Sequence, residues 1–133
     1  MTFGACTGKA GEYWSHRVNW AMDCPNRCKY CFAVGFRCKV PQDPLGDLSR
    51  CVARYTDTIR RIILNNTGDA FGTIQDAQIT ERLLLKARKM KLHVSVLTKS
   101  PALAVRLFPL MASMDAEFGV TVTTLDDRLA EYW

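Results

Sequence analysis

The chain has 133 residues, of which 48% are hydrophobic and 23% are charged. This is one domain's worth of chain with enough apolar side chains for a core, and no uninterrupted apolar stretch approaches the ~20 residues that a membrane span needs. The net charge of +5 is compatible with a phosphate-bearing partner, so the composition allows nucleic-acid binding without indicating it.

The first half of the chain predicts a lead-in, a short strand and a long helix. Residues 1–15 are rich in Gly and Thr and predict a loosely held lead-in, while residues 16–133 predict a single core domain. Residues 17–21 alternate in the manner of a short strand. After a turn-rich connection, apolar residues three or four apart predict a helix from Asp47 to Ile63, which ends at the polar residues 65–68.

The second half alternates between strand and helix patterns. In chain order the sequence predicts a strand at 70–74, a helix at 79–90, a buried strand at 92–97, a helix that starts at Ser100 and is interrupted at Pro109, a strand at 118–123, and a last helix from Thr124 to Trp133. Repeated strand–helix units form a parallel sheet with helices outside. The sequence therefore predicts an α/β fold of about four β–α units.

The most informative motif is a cluster of three cysteines, Cys24, Cys28 and Cys31, in a C-x3-C-x2-C pattern followed by Phe32. Three thiolates on one short loop can bind three irons of a cube-shaped iron–sulfur cluster and leave the fourth iron open to a ligand. Residues 1–10 show no signal-peptide pattern. We therefore expect a cytoplasmic protein with reduced thiols.

Two other interpretations of the cysteines stay open at this stage. Structural zinc needs four ligands, but His93 lies in an apolar run and His16 is poorly spaced from Cys24. A disulfide framework is allowed by the even count of six cysteines. Cys51 falls on the apolar side of its predicted helix and is expected to be a buried thiol, whereas Cys6 and Cys38 receive no assigned role.

The carboxyl ends of parallel strands meet at one edge of a sheet, where active sites collect. The cysteine loop, Asp76, the corner at residues 98–100 and the pair at residues 123–124 all follow predicted strands. We therefore expect these four segments to converge on one rim.

The cysteine motif and Phe32, placed after the first strand, resemble those of the radical S-adenosylmethionine superfamily. The resemblance implies a partial parallel (β/α) barrel and a [4Fe–4S] cluster held by the three cysteines. S-adenosylmethionine would bind the open iron, and one electron would cleave it to methionine and a 5′-deoxyadenosyl radical that acts on an unknown substrate. It also implies an electron donor of the flavodoxin or ferredoxin type.

Further segments are similar to the spore-photoproduct-lyase-like branch of that superfamily. These are Leu97-Thr98-Lys99-Ser100-Pro101, residues 120–126, and residues 72–76 together with Glu81. The branch suggests, by analogy alone, a nucleic-acid substrate or partner.

The resemblance assigns a role to each of five further residues. Tyr30 and Phe32 would flank the cluster, with Phe32 near the adenine of the cofactor. Lys99 would pair with the cofactor's carboxylate, Asp76 would lie near its amino group, and Thr121 near its ribose or methionine portion. Three of these residues have a structural alternative, since Lys99 could be solvated, Asp76 could cap a helix and Thr121 could pack in the sheet.

The predicted chain departs from the superfamily in supplying only about four β–α units. An open sheet would expose an edge strand and apolar surface, so self-association or a partner chain is expected to cover it. A second hypothesis follows, in which the chain is a non-catalytic module that binds a cluster or zinc and acts through a partner.

Overall fold

A computed structural model describes residues 16–20, 24–31, 33, 43–55, 59 and 61–130. Its elements are β1 (His16–Val18), α1 (Pro44–Arg54), β2 (Arg61–Leu64), α2 (Ile74–Lys89), β3 (His93–Thr98), α3 (Phe108–Ala112), β4 (Ala116–Val120) and α4 (Asp127–Ala130). Within this part of the chain the four strands form one parallel sheet in the order β1-β2-β3-β4. The α/β class and the parallel sheet are confirmed, and the arrangement is compatible with a partial β/α fold.

One face of the sheet packs against the helices. The alternate strand residues Ile62, Leu64, Val94 and Val96 are each at most 2% exposed, and they belong to one core cluster with apolar side chains of α2. Burying each such side chain contributes roughly 1.5–3 kcal/mol relative to leaving it in water. The core therefore fixes β2 and β3, whose carboxyl ends carry the candidate site.

The structure corrects the prediction around β2. The helix expected to reach Ile63 ends at Arg54, and the strand expected at 70–74 is absent, since residues 70–73 lie in turns before α2. Ile62, Ile63 and Leu64 are all at most 2% exposed. A short strand buried on both faces is a continuous apolar run, which spacing alone does not distinguish from a helix.

The helix α2 begins five residues before the predicted start, because Thr73 caps it. The Thr73 Oγ1 accepts a hydrogen bond from the Asp76 backbone N at 3.1 Å and donates to Asp76 Oδ2 at 2.8 Å. A hydroxyl that satisfies an otherwise unpaired N–H in the first turn starts a helix ahead of its apolar stripe. The backbone N and the carboxylate of Asp76 are thus both hydrogen-bonded to Thr73 at the start of the helix.

The remaining elements lie close to their predicted positions. The strand β3 differs from the prediction by one residue at each end, and β4 is shifted toward the amino terminus. Two 3-10 turns, at Pro101–Leu103 and Val105–Leu107, precede α3, which has Pro109 in its first turn. The α-helix expected to start at Ser100 therefore starts only at Phe108, and Pro109 lies at its beginning instead of interrupting it. No helix in the described ranges has both the length and the hydropathy that crossing a membrane requires.

Candidate functional site

A cleft of about 240 Å³ lies at the carboxyl ends of β2 and β3. Its walls come from four places: the cysteine loop, the β2–α2 connection at residues 65–69, the end of β3 at residues 97–99, and Thr121 beyond β4. The structure therefore brings the cysteine loop, the lysine corner and Thr121 together at one rim. Residues 123 and 124 do not line it.

The three motif cysteines are free thiols, and all three line this cleft. The loop is folded by two backbone hydrogen bonds, from Arg27 N to Cys24 O at 3.3 Å and from Cys31 N to Cys28 O at 3.1 Å. Arg27 has a φ of 44°, a left-handed conformation that tightens the turn between the first two cysteines. The segment that carries the three cysteines is thus a folded turn on the cleft wall.

No group of three or more His, Cys, Asp or Glu side chains is placed to hold a metal ion in the part of the chain that the structure describes. The two histidines do not line the cleft. His16 is buried and stacks on Tyr55, with ring centroids 4.4 Å apart. His93 lies at the start of β3, where its Nδ1 is 2.8 Å from Asp115 Oδ1.

The charge state of the cysteine loop is set by its surroundings. Burial raises the pKa of the Cys24 thiol; hydrogen bonding from the Asn26 backbone opposes this rise, and the negative charge of Asp69 adds to it. Without metal this thiol is therefore protonated at neutral pH, and any metal that binds must displace the proton.

Cys51 is buried and disulfide-bonded, so the expectation of a free thiol at this position is wrong.

Asp69 is the hub of the site, although the sequence did not single it out. It is 5% exposed, and its Oδ1 accepts from Phe71 N at 2.9 Å and from Thr98 Oγ1 at 2.5 Å. Its Oδ2 accepts from Lys99 N at 2.9 Å and from Asn26 Nδ2 at 2.7 Å. One carboxylate therefore joins the β2–α2 connection, the end of β3 and the cysteine loop.

The predicted residues Lys99, Tyr30 and Thr121 line the cleft. The Lys99 Nζ lies 4.3 Å from the centroid of the Tyr30 ring, a cation–π contact worth about 0.5–1 kcal/mol at an exposed site. The Thr121 backbone N donates to Thr98 O at 2.9 Å. The ammonium group of Lys99 therefore lies next to the cysteine loop.

Asp76 does not line the cleft. Its Oδ1 accepts from Trp20 Nε1 at 3.1 Å, and its other carboxylate oxygen is bonded to Thr73. Asp76 therefore lies in the first turn of α2 without being its cap, and its carboxylate joins Thr73 and Trp20. Phe32, Cys6 and Cys38 lie outside the described residues.

Two close approaches shape the cleft. A Cβ at Gly72 would lie 2.9 Å from Pro25 Cδ, and a Cβ at Gly119 would lie 2.6 Å from Leu97 Cδ2. Contacts under 3.0 Å force a neighbour to move. The first position therefore lets the cysteine loop rest on the β2–α2 connection, and the second leaves room for a side chain of the cleft wall.

Comparison of the chain with protein-family models, with curated proteins and with solved structures finds no match. Function is therefore inferred from the side chains of the cleft. Two of its buried polar atoms, Asn66 Oδ1 and Thr67 Oγ1, have no hydrogen-bond partner among the described residues. Buried polar atoms are normally paired, so these two acceptors are open to a water molecule or to a polar group of a ligand.

Away from the cleft, a polar cluster joins the amino-terminal parts of β3 and β4. The Ser95 Oγ donates to Glu117 Oε2 at 2.9 Å, and His93 Nε2 lies 3.5 Å from the same oxygen. The hydrogen bond from Ser95, followed by the effect of His93, lowers the pKa of Glu117. This cluster ties the edge strand β4 to the sheet.

Proposed function

We propose that the protein binds a [4Fe–4S] cluster through Cys24, Cys28 and Cys31 and uses it with S-adenosylmethionine, as a radical S-adenosylmethionine protein of the spore-photoproduct-lyase-like branch. The observation that carries the proposal is the meeting of three free thiols and the Lys99 side chain in one cleft at the carboxyl ends of parallel strands. The sheet would then be part of a (β/α) barrel.

The donor set fits an iron–sulfur cluster better than zinc. Four ligands around one zinc, each ~2.3 Å from the metal, must crowd together, and the described residues offer no such group. In a cubane each thiolate binds a different iron, so the three sulfur atoms stand farther apart. The support for a cluster is that three free thiols line one cleft.

The remaining polar groups of the cleft suit an amino-acid ligand. The Lys99 ammonium would pair with the carboxylate of the cofactor, and for this it would exchange its contact with the Tyr30 ring. Asn66 Oδ1 and Thr67 Oγ1 are unpartnered acceptors for the cofactor's ammonium, a role that the resemblance gave to Asp76. Thr121 stays the candidate for the ribose or methionine portion.

When bound, the cluster would supply one electron that cleaves the cofactor's sulfonium to methionine and a 5′-deoxyadenosyl radical. The chain's own contribution is to hold and orient. Asp69 fixes the backbone of Lys99, with the amide N of that residue 2.9 Å from its carboxylate. An electron donor of the flavodoxin or ferredoxin type would act at the exposed side of the cysteine loop.

Anaerobic reconstitution tests this proposal. The parent should bind roughly four irons per chain with the visible charge-transfer absorbance of a cluster, and should form 5′-deoxyadenosine when reduced with S-adenosylmethionine. Cys28→Ala should lose both, whereas the matched loop variant Arg27→Lys should keep both. A parent protein that takes up iron but never forms 5′-deoxyadenosine would contradict the catalytic half of the proposal.

The second candidate is a non-catalytic cluster- or zinc-binding module that acts through a partner. It is favoured by apolar side chains exposed at and beyond β4, namely Val120 at 43%, Val122 at 65% and Leu125 at 94%. In this proposal a partner chain or a second copy would cover these side chains. Metal analysis and the oligomeric mass of anaerobically purified protein separate the candidates, because one zinc per chain would exclude the cluster.

A further inference from the structure

We infer that Asn26 is a positioning residue that fixes the cysteine loop on the ends of β2 and β3 before any cofactor binds. Asn26 lies between the first two motif cysteines, and its side chain is hydrogen-bonded to Asp69 and Ser100. The functional meaning of this inference rests on the proposed function, because the loop that Asn26 holds is the one that would bind the cluster. Its geometry stands independently of the cofactor.

The amide of Asn26 connects three segments that are distant in the chain. Its Nδ2 donates to Asp69 Oδ2 at 2.7 Å, across 43 residues. Its Oδ1 accepts from Ser100 Oγ at 3.3 Å, across 74 residues. The first bond has a carboxylate acceptor and is therefore the stronger of the two.

The partner of this first bond is itself rigid. Asp69 is buried and is held by donors from Phe71, Thr98 and Lys99. An acceptor with three other donors has little freedom to follow the loop. The bond to Asp69 therefore fixes the position of Asn26, and with it the position of the cysteine loop.

Only an amide satisfies both neighbours at this position. A carboxylate at residue 26 would place a second negative charge against Asp69, and an apolar side chain would remove one donor from Asp69 and the acceptor of the Ser100 hydroxyl. Nearby, Pro25 Cδ comes within 2.9 Å of the position that a Cβ on Gly72 would occupy. Two neighbouring loop residues thus seat the loop on the same β2–α2 connection.

The consequence is a preorganised set of thiols. A loop that is ordered on folding does not lose conformational freedom again when its ligand binds, and this favours binding. Cys24 lies two residues from the anchor and its carbonyl accepts from Arg27 N. Its sulfur atom is therefore held at the cleft without metal.

The test uses metal-free, full-length protein with the three thiols reduced. The rate of iodoacetamide alkylation is measured separately at Cys24, Cys28 and Cys31 by mass spectrometry. Asn26→Leu keeps the branched shape and the neutral charge but removes the side-chain hydrogen bonds. Cys28 and Cys31 are the deciding readout, because Asn26 is also hydrogen-bonded to Cys24 and affects that thiol directly. We expect its alkylation rates to rise about tenfold, the effect of losing a hydrogen bond to a charged acceptor on a local opening equilibrium.

Arg27→Lys is the matched control, since it is in the same loop, exposed and of the same charge, and its rates should stay within twofold of the parent. A single cooperative urea transition with an unchanged m-value shows that Asn26→Leu is still folded. Rates for Asn26→Leu within twofold of the parent would overturn the inference.

If Asn26→Leu fails to fold, Ser100→Ala decides, because it removes only the weaker bond. A two- to threefold rise in alkylation supports the inference, and unchanged rates overturn it. Since no metal is present, this result is separate from the outcome of cluster reconstitution.

Discussion

The strongest stability prediction concerns Asp69→Asn, which changes one atom of the site's hub. The amide keeps one oxygen, which can still accept from Phe71 N and the Thr98 hydroxyl. Its nitrogen then faces two other donors, the Lys99 N–H and the Asn26 amide, which lie 2.9 and 2.7 Å from Oδ2 in the parent. The variant therefore places donor against donor in a buried site.

The magnitude follows from the count of broken bonds. Each buried donor left without a partner costs roughly 1–3 kcal/mol. The Asn26 side chain can turn its amide around and recover part of this, whereas the Lys99 backbone N–H cannot. We therefore expect Asp69→Asn to lower the free energy of unfolding by about 2–4 kcal/mol, a large share of the roughly 5–15 kcal/mol typical of a folded domain.

Urea unfolding followed by tryptophan fluorescence measures this loss, with an unchanged m-value as the check that the folded state is intact. Asp115→Asn is the matched control, because its side chain is 74% exposed. Its contact with His93 should be worth no more than about 1 kcal/mol. If Asp69→Asn cost no more than this control, the carboxylate would not be the structural centre that its contacts indicate.

Three further predictions concern the loop, the lysine and the edge strand. Gly72→Ala should lower iron uptake on reconstitution, because the new methyl group would push Pro25 and the cysteine loop off the β2–α2 connection; uptake equal to the parent would mean that the loop does not rest there. Tyr30→Leu should raise the affinity for S-adenosylmethionine by about two- to fivefold, because Lys99 no longer gives up its contact with the ring when it binds the cofactor. Equilibrium dialysis of the reconstituted protein measures this affinity. The urea midpoint of the parent should fall as the pH drops below about 4.5, and this fall should be smaller in Glu117→Gln.

The sign of the last effect follows from the direction of the pKa shift. The pKa of Glu117 is lowered in the folded protein, so the folded state favours the ionised carboxylate. The resulting stability is present above the pKa of the unfolded chain and is lost as the pH falls through the folded value. A variant with an acid limb identical to the parent's would show that this carboxylate carries no such contribution.

The sequence was sufficient to predict the rim of the site at β3 but not at β2. The strand β3 has a clear apolar run, and Lys99 directly follows its end, so topology alone places that residue at the cleft. In β2 the residues Ile62, Ile63 and Leu64 continue the three-and-four spacing of α1, and spacing cannot separate a short buried strand from a helix.

The wrong position of the second strand led the sequence analysis to Asp76 instead of Asp69. With the second strand expected at residues 70–74, Asp76 became the acid at its end, whereas the strand that ends at Leu64 is followed by Asp69. The β-branched character of the Ile62-Ile63 pair and the turn-rich residues after it were the signals that favoured a strand. Asn26 could not be found in this way, because its role depends on partners 43 and 74 residues away.

Gly119 has a consequence for which molecules the cleft can admit. It lies beside Leu97 across the β3–β4 pair, and Leu97 is 45% exposed on the cleft wall. Because the two positions compete for one volume, any larger residue at 119 would drive the leucine isobutyl group outward. Leu97 lines the cleft whereas Gly119 does not, so the shape of the cleft wall depends on a position outside its lining.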